Sequence, residues 1–300
     1  MLEVASLNER LGIAGEVEFR IGDHGALVAD ISNAQGSGSV AIQGAQVLSW
    51  APTGHEPVVW LSDDARFKAG KSLRGGAPIC WPWFGARQDD PNKPAHGFAR
   101  NLDWEPIETS RVPEGTRILL RLVPGKGQEA VWPHEAALTL AVIMGESLRL
   151  DLTTINRGKE PFELTQAIHT YFRVGEIDAV QVIGLEGREY IDTVGSHTVR
   201  RQDGPITIPH EVDRIYLDSP GDAIIVDQSL GRRIRVSKKG SGSYVVWNPW
   251  IEKSATLGDM GVDGYRSMVC VETTNAATDR VTVLPGDSYS LMTEYAVEPL

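Results

Sequence analysis

Cysteine is scarce: 300 residues contain two, Cys80 and Cys270. Two thiols cannot build a disulfide framework or a four-cysteine zinc site. Long apolar runs are also missing. The stretch around Leu140 to Met144 falls far short of the roughly 20 apolar residues that a membrane helix requires. The first residues, MLEVASLNERLG, carry charges and lack the apolar core of a signal peptide. A reducing, cytoplasmic setting is therefore expected. Positive charge is in deficit: 40 acidic side chains against 29 basic ones leave a net charge of −11 and a pI near 5.1. That argues against nucleic-acid and membrane-surface partners. A small anion stays possible, since a local arginine cluster can oppose the global field. Several chemical signatures are absent too. None of the seven histidines forms HExxH or a close metal-ligand pair, so no metal is expected. GxSxG, GxxxxGK[ST] and GxGxxG do not occur, which removes support for serine-hydrolase, P-loop and dinucleotide-binding readings.

What is present is alternation. The 31 glycines and 17 prolines are spread along the whole chain and punctuate short segments. Leu148, Leu150, Leu152 and Thr154 share one face, with Arg149, Asp151 and Thr153 on the other. Leu138, Leu140, Val142 and Met144 repeat the pattern upstream, and Gly145-Glu146 between them reads as a hairpin turn. Further strands are expected over 116–123, 223–226, 244–247 and 268–272. Helical periodicity is confined to 6–11 and to a turn or two after Pro249. The polar stretch SNAQGSGS (32–39) reads as a surface loop, and no repeat of propeller length is found. The expected fold is all-β: one large antiparallel β-sandwich with few short helices, as a single domain over residues 1–300. No long interface helix is evident, so a monomer is expected.

Three stretches depart from plain strand patterning, and a fourth places a carboxylate in an apolar strand. SLRGGAPICWPWFG (72–85) packs two prolines and two tryptophans into a short span; it either lines a site or plugs one end of the sandwich. PAHGFAR (94–100) reads as a polar site or as a surface turn. In QAIHTYFRV (166–174), His169 interrupts an apolar, aromatic strand and is either a core histidine or a catalyst. In MVCVETTN (268–275), Glu272 stands in a strand of buried type, which is expensive unless it is paired or solvated in a cleft. A carboxylate and an imidazole at strand ends make an acid/base pair. The tryptophans offer apolar faces for sugar C–H surfaces. Arg74 and Arg100 offer planar forks for a phosphate or carboxylate, although salt bridges with Asp63, Asp64 or Asp103 are a plainer use for them.

In this order, GAQVLSW (44–50), SLRGGAPICWPWFG, PAHGFARNLDW (94–104), AIHTYFRVGEI (167–177), EVDRIY (211–216) and VCVET (269–273) resemble the hexose-6-phosphate mutarotases (glucose-6-phosphate 1-epimerases), a branch of the aldose 1-epimerase superfamily. The resemblance spans most of the chain. It implies a galactose-mutarotase-like super-sandwich that interconverts the α and β anomers of a hexose 6-phosphate, most readily glucose 6-phosphate, without metal or cofactor. By the same resemblance, His169 is the general acid toward the ring oxygen and Glu272 the general base toward the C1 hydroxyl. His96 lies near the ring oxygen or neighbouring hydroxyls, Asp213 binds sugar hydroxyls, and Arg74 and Arg100 bind the phosphate. Ala95 stands where some relatives carry glutamine. Gln46 stands where several carry histidine and reads as a neutral variation. An ionised Glu272 beside a protonated His169 is expected near neutral pH, with mutual attraction widening that window. Two alternatives stay open: a mutarotase for unphosphorylated aldoses and a non-catalytic carbohydrate-binding sandwich.

Overall fold

The computed structural model describes residues 3–87, 90–125, 127–195 and 197–300. The alternating segments pair as their patterns require. Ala136–Met144 and Ser147–Asn156 form an antiparallel hairpin in which Leu138, Leu140, Val142 and Met144 face Thr154, Leu152, Leu150 and Leu148. Gly145 closes the turn through its N–H to the Ser147 carbonyl. This hairpin lies inside an eight-stranded sheet ordered Val180–Ile183, Ala223–Asp227, Arg232–Lys239, Ser288–Pro299, Ser147–Asn156, Ala136–Met144, Gly115–Leu122 and Trp104–Val112. Its inward leucines and isoleucines are at or near zero exposure. At the surface, Arg149 pairs with Asp151 at 2.9 Å.

A second large sheet carries the polar segments. Its order is Thr198–Arg201, Glu189–Asp192, Val212–Tyr216, Ser243–Asn248, Met268–Asn275, Gln166–Ile168 and Ile79–Cys80, with Tyr171–Arg173 also paired to Met268–Asn275. Successive residues of a strand point to opposite faces, and here the two faces have different company. Phe172, Tyr216, Tyr244, Val246, Val269 and Val271 join the main apolar core, which also holds the leucines of the first sheet. Tyr171, Val245, Trp247, Met268 and Cys270 join a separate cluster with Trp60 and Met260. Every residue of Met268–Asn275 is therefore buried, yet Cys270 and Glu272 belong to the second face, away from the main core.

A third sheet runs Val17–Ile21, Leu27–Ser32, Gly36–Ala41 and Gln46–Pro52, each antiparallel to the next. It corrects one expectation. SNAQGSGS is the end of one strand, a turn and the start of another. A Cβ at Gly38 would collide with the Ser49 carbonyl. The small residues therefore mark a close approach between backbones, not a loose surface loop.

Helices form at Val4–Leu11 and Trp250–Thr256, near the two expected places. Among the described residues, no helix is long and apolar enough to cross a membrane.

Candidate active site

The site grows from the second face of the second sheet. Across neighbouring strands, Asp213 pairs with Trp247, Trp247 with Cys270, and Cys270 with Tyr171. One step along, on the same face, Val245 pairs with Glu272. His169 stands at the break between Gln166–Ile168 and Tyr171–Arg173. The SLRGGAP loop fixes that break: the Pro78 carbonyl accepts the His169 N–H and the Gly76 carbonyl accepts the Tyr171 N–H, both at 2.9 Å. Gln46 in turn holds the loop. It is buried, and its Nε2 donates to the carbonyls of Leu73 and Gly75 at 3.0 and 2.7 Å. Gln46, read from sequence as a neutral variation, thus supports the wall of the site.

The result is a carboxylate facing an imidazole. His169 Nε2 lies 3.3 Å from Glu272 Oε1. Glu272 is 1% exposed and His169 8%. His169 Nδ1 and Glu272 Oε2 are buried without a side-chain hydrogen-bond partner, a costly state for polar atoms. Tyr171 stacks on the His169 ring at 5.0 Å, and Trp247 meets it edge-on at 5.9 Å. The His96 ring lies 5.8 Å from that of His169. Its Nδ1 accepts the Gly85 N–H at 3.3 Å, so the neutral ring carries its proton on Nε2.

Burial dominates the electrostatics. It holds the His169 imidazole well below the ordinary histidine value, helped by His96 and Arg100. It pushes the Glu272 carboxyl well above the ordinary carboxylate range, with Asp213 adding to the rise and Arg100 opposing it. His96 falls to about 3, first by burial and then through Arg100. Desolvation therefore drives both members of the pair toward their neutral forms. That direction runs against the expectation of a resting imidazolium–carboxylate pair. The neutral pair and the ion pair differ only by one proton moved between the partners, so proton count is unchanged.

Both arginines border this cluster. The field of Arg100 acts on Glu272, His169 and His96, and that of Arg74 on His169 and Tyr171. Arg74 is held by Asp259 (Nε to Oδ1, 2.9 Å) and by the Tyr171 hydroxyl (3.2 Å). Arg100 Nη2 donates to the Ala95 carbonyl at 3.0 Å, while its Nε is buried without a partner. Among the described residues, neither arginine pairs with Asp63, Asp64 or Asp103; Arg74 does form a salt bridge, with Asp259 instead. Asp213 is partly buried on the same face as Glu272. Burial raises its pKa, and Thr193 and Lys253 pull it back.

The tryptophans correct another expectation. Trp81 is 1% exposed and Trp83 4%. Trp81 donates to Thr154 Oγ1 and Trp83 to the Pro94 carbonyl, both at 2.9 Å, and both rings pack edge-on against Phe98. They belong to the main apolar core and offer no face to a sugar. The aromatic rings against the candidate pair are Tyr171 and Trp247, which the sequence reading passed over, as it did Asp259. Tyr171 had a signal: it lies two residues from His169, on the alternation that defines a face. Trp247 and Asp259 reach the site through pairing and a loop, for which no local pattern exists.

An antiparallel β architecture with a carboxylate facing an imidazole on the sheet face turned away from the main core, bordered by two arginines, fits a class of sugar-converting protein. The match to known families agrees. Residues 28–296 match the family model "Aldose 1-epimerase", and the chain belongs to that family. It is 40% identical over 254 residues to an Escherichia coli (strain K12) protein named "Putative glucose-6-phosphate 1-epimerase", covering 84% of each chain. A Salmonella typhimurium protein of the same name is 39% identical over 247 residues, covering 82% of each. The crystal structure of a "putative mutarotase (YeaD)" from Salmonella typhimurium superposes with a TM-score of 0.88 at 35% identity, covering 95% of this chain and 94% of that one.

Proposed function

We propose that the protein interconverts the α and β anomers of a hexose 6-phosphate, glucose 6-phosphate first, through His169 and Glu272. The observation that carries this reading is the 3.3 Å approach of His169 Nε2 to Glu272 Oε1. The two oxygens that exchange protons in anomer conversion are both attached to C1, so acid and base must be near neighbours. One proton shifts from Glu272 to His169 to give the reactive pair, and Glu272 then takes the proton of the C1 hydroxyl as the bond between C1 and the ring oxygen breaks. His169 gives a proton to that oxygen, and the open aldehyde forms. After rotation about C1–C2, His169 recovers its proton and Glu272 returns one as the ring closes from the other face. The pair starts and ends with the same number of protons. Each group contributes roughly 10²–10⁴-fold.

His96, with its proton on Nε2, serves as a neutral donor toward ring or hydroxyl oxygens, and Asp213 accepts from sugar hydroxyls. Arg74 and Arg100 take the phosphate. The names of the relatives support a phosphorylated sugar. So does the unpartnered Nε of Arg100.

The arginines provide the test. Arg100→Ala and Arg74→Ala are each expected to weaken glucose 6-phosphate by about 2–3 kcal/mol, read as KM in saturation-transfer NMR of anomer exchange. Free glucose should be nearly indifferent. Equal losses for both sugars would give the arginines a structural role and favour an unphosphorylated aldose. Binding of sugar without exchange by the wild type would favour the non-catalytic alternative.

Protonation gives a second test. A folded-state pKa held below the ordinary value keeps a ring neutral to lower pH. His96 and His169 should therefore both stay uncharged as pH falls from about 7 to about 5, followed by NMR of ring-labelled histidine. Full protonation of His169 at pH 6 would contradict the dominance of burial.

A further inference from the structure

Cys270 has no part in the anomer chemistry, yet it lies directly beneath it. One donor atom each from His169, Cys270 and Glu272 fall within 4.8 Å of one another, all three residues being buried. We propose that these residues form a binding site for Zn²⁺, and that the bound ion blocks anomer exchange by occupying the acid/base pair. The blocking half rests on the function proposed above; the site itself does not.

The donor set selects the ion. A thiolate, an imidazole and one carboxylate suit zinc, whereas Mg²⁺ and Ca²⁺ require a shell of oxygens that one carboxylate cannot supply. Charge agrees as well. Thiolate and carboxylate together neutralise a dication, so the assembled centre carries no net charge into a dry site, where an isolated ion would be costly. Binding expels the Cys270 thiol proton, and any second proton on the Glu272 carboxyl, to solvent. Bond lengths of about 2.0–2.3 Å require the widest donor pair to close by about 1 Å. Two of the three residues already converge, His169 Nε2 lying 3.3 Å from Glu272 Oε1. A tetrahedral ion on three protein donors keeps a fourth position for water or a sugar hydroxyl.

Cys80 is the internal control. It is equally buried and free but is not among the three donors. Chelator-treated protein titrated with Co²⁺ should bind one ion per chain, with a sulfur-to-metal charge-transfer band that Zn²⁺ then abolishes. Cys270→Ala should lose the band and weaken Zn²⁺ at least about 100-fold, beyond the cost of losing an outer-sphere partner. Cys80→Ala should keep both. Zn²⁺ should stop exchange in the wild type in step with binding, and a chelator should restore it. Cys270→Ala should keep exchanging at zinc concentrations that silence the wild type.

The proposal falls if the folded wild type shows no charge-transfer band, or if zinc affinity survives in Cys270→Ala. Cys270→Ser, which keeps the side-chain size, replaces the alanine variant should the latter not fold. The metal readouts need no activity. Binding without any exchange in metal-free protein would therefore sink the functional reading and leave the site. Exchange without binding would do the reverse.

Discussion

Glu272→Gln is expected to lower the rate of glucose 6-phosphate anomer exchange by about 10²–10⁴-fold while the protein remains folded. The amide keeps the shape of the carboxyl and cannot take a proton. His169→Ala is expected to lose a comparable factor. The double variant should lose little more than either single one, because a proton relay with one end missing is already broken. Saturation-transfer NMR reads the rates directly. Wild-type-like exchange in either single variant would remove that residue from the reaction.

The same substitution makes a stability statement of opposite sign. A carboxyl whose pKa is raised on folding binds its proton more tightly in the folded state. Its contribution is greatest below the unfolded value of about 4.3 and is lost as pH rises toward the folded value. Burial raises Glu272 in this way. The lowered pKa of His169 works in the opposite direction as pH rises toward about 6.5 and offsets that loss in the wild type, whereas the glutamine variant keeps only the histidine's gain. The Tm of Glu272→Gln relative to wild type should thus grow with pH and be zero or positive at neutral pH. A variant that is less stable at neutral pH would mean that the ionised carboxylate is well compensated by its neighbours.

The parts of this fold that were legible are those that local spacing determines. The hairpin of Ala136–Met144 and Ser147–Asn156 could be read to the turn, because each inward residue meets water or core according to its parity alone. His169 and Glu272 were legible because a polar group in an apolar strand is costly, and such exceptions are few. Parity also carried more than was taken from it. Tyr171 follows His169 by two, and Cys270 precedes Glu272 by two. Both belong to the site face. The strand Gly36–Ala41 was illegible for the opposite reason: its small residues answer to carbonyls of other strands, a demand invisible in its own neighbourhood. The tryptophans of the CWPWF run were visible, but not their direction. A buried Trp with a hydrogen-bonded Nε1 and an exposed sugar platform have the same local sequence.

Gly97→Ala tests how much of the site hangs on one backbone contact. Gly97 has φ 69°, a left-handed conformation that costs an L side chain about 1–3 kcal/mol. It also abuts the backbone of Trp81. Trp81 and Gly97 form a parallel bridge, and Phe98 donates to the Trp81 carbonyl at 3.0 Å. A Cβ on Gly97 would collide with that carbonyl. Since the carbonyl belongs to backbone, relief requires one of the two segments to shift. The expected loss is about 2–4 kcal/mol, or roughly 3–6 °C in Tm for a chain of this length. His96 precedes the glycine and itself has φ 65°. The shift should therefore also displace the ring from its place 5.8 Å from His169 and lower exchange in the fraction that stays folded. Gly54→Ala separates the two costs. Gly54 has φ 82°, but a Cβ there meets nothing within 4 Å. It should lose only the conformational share, with exchange untouched. Equal Tm losses in the two variants would mean that the contact between Gly97 and Trp81 yields without cost and that the two loops do not hold the site together.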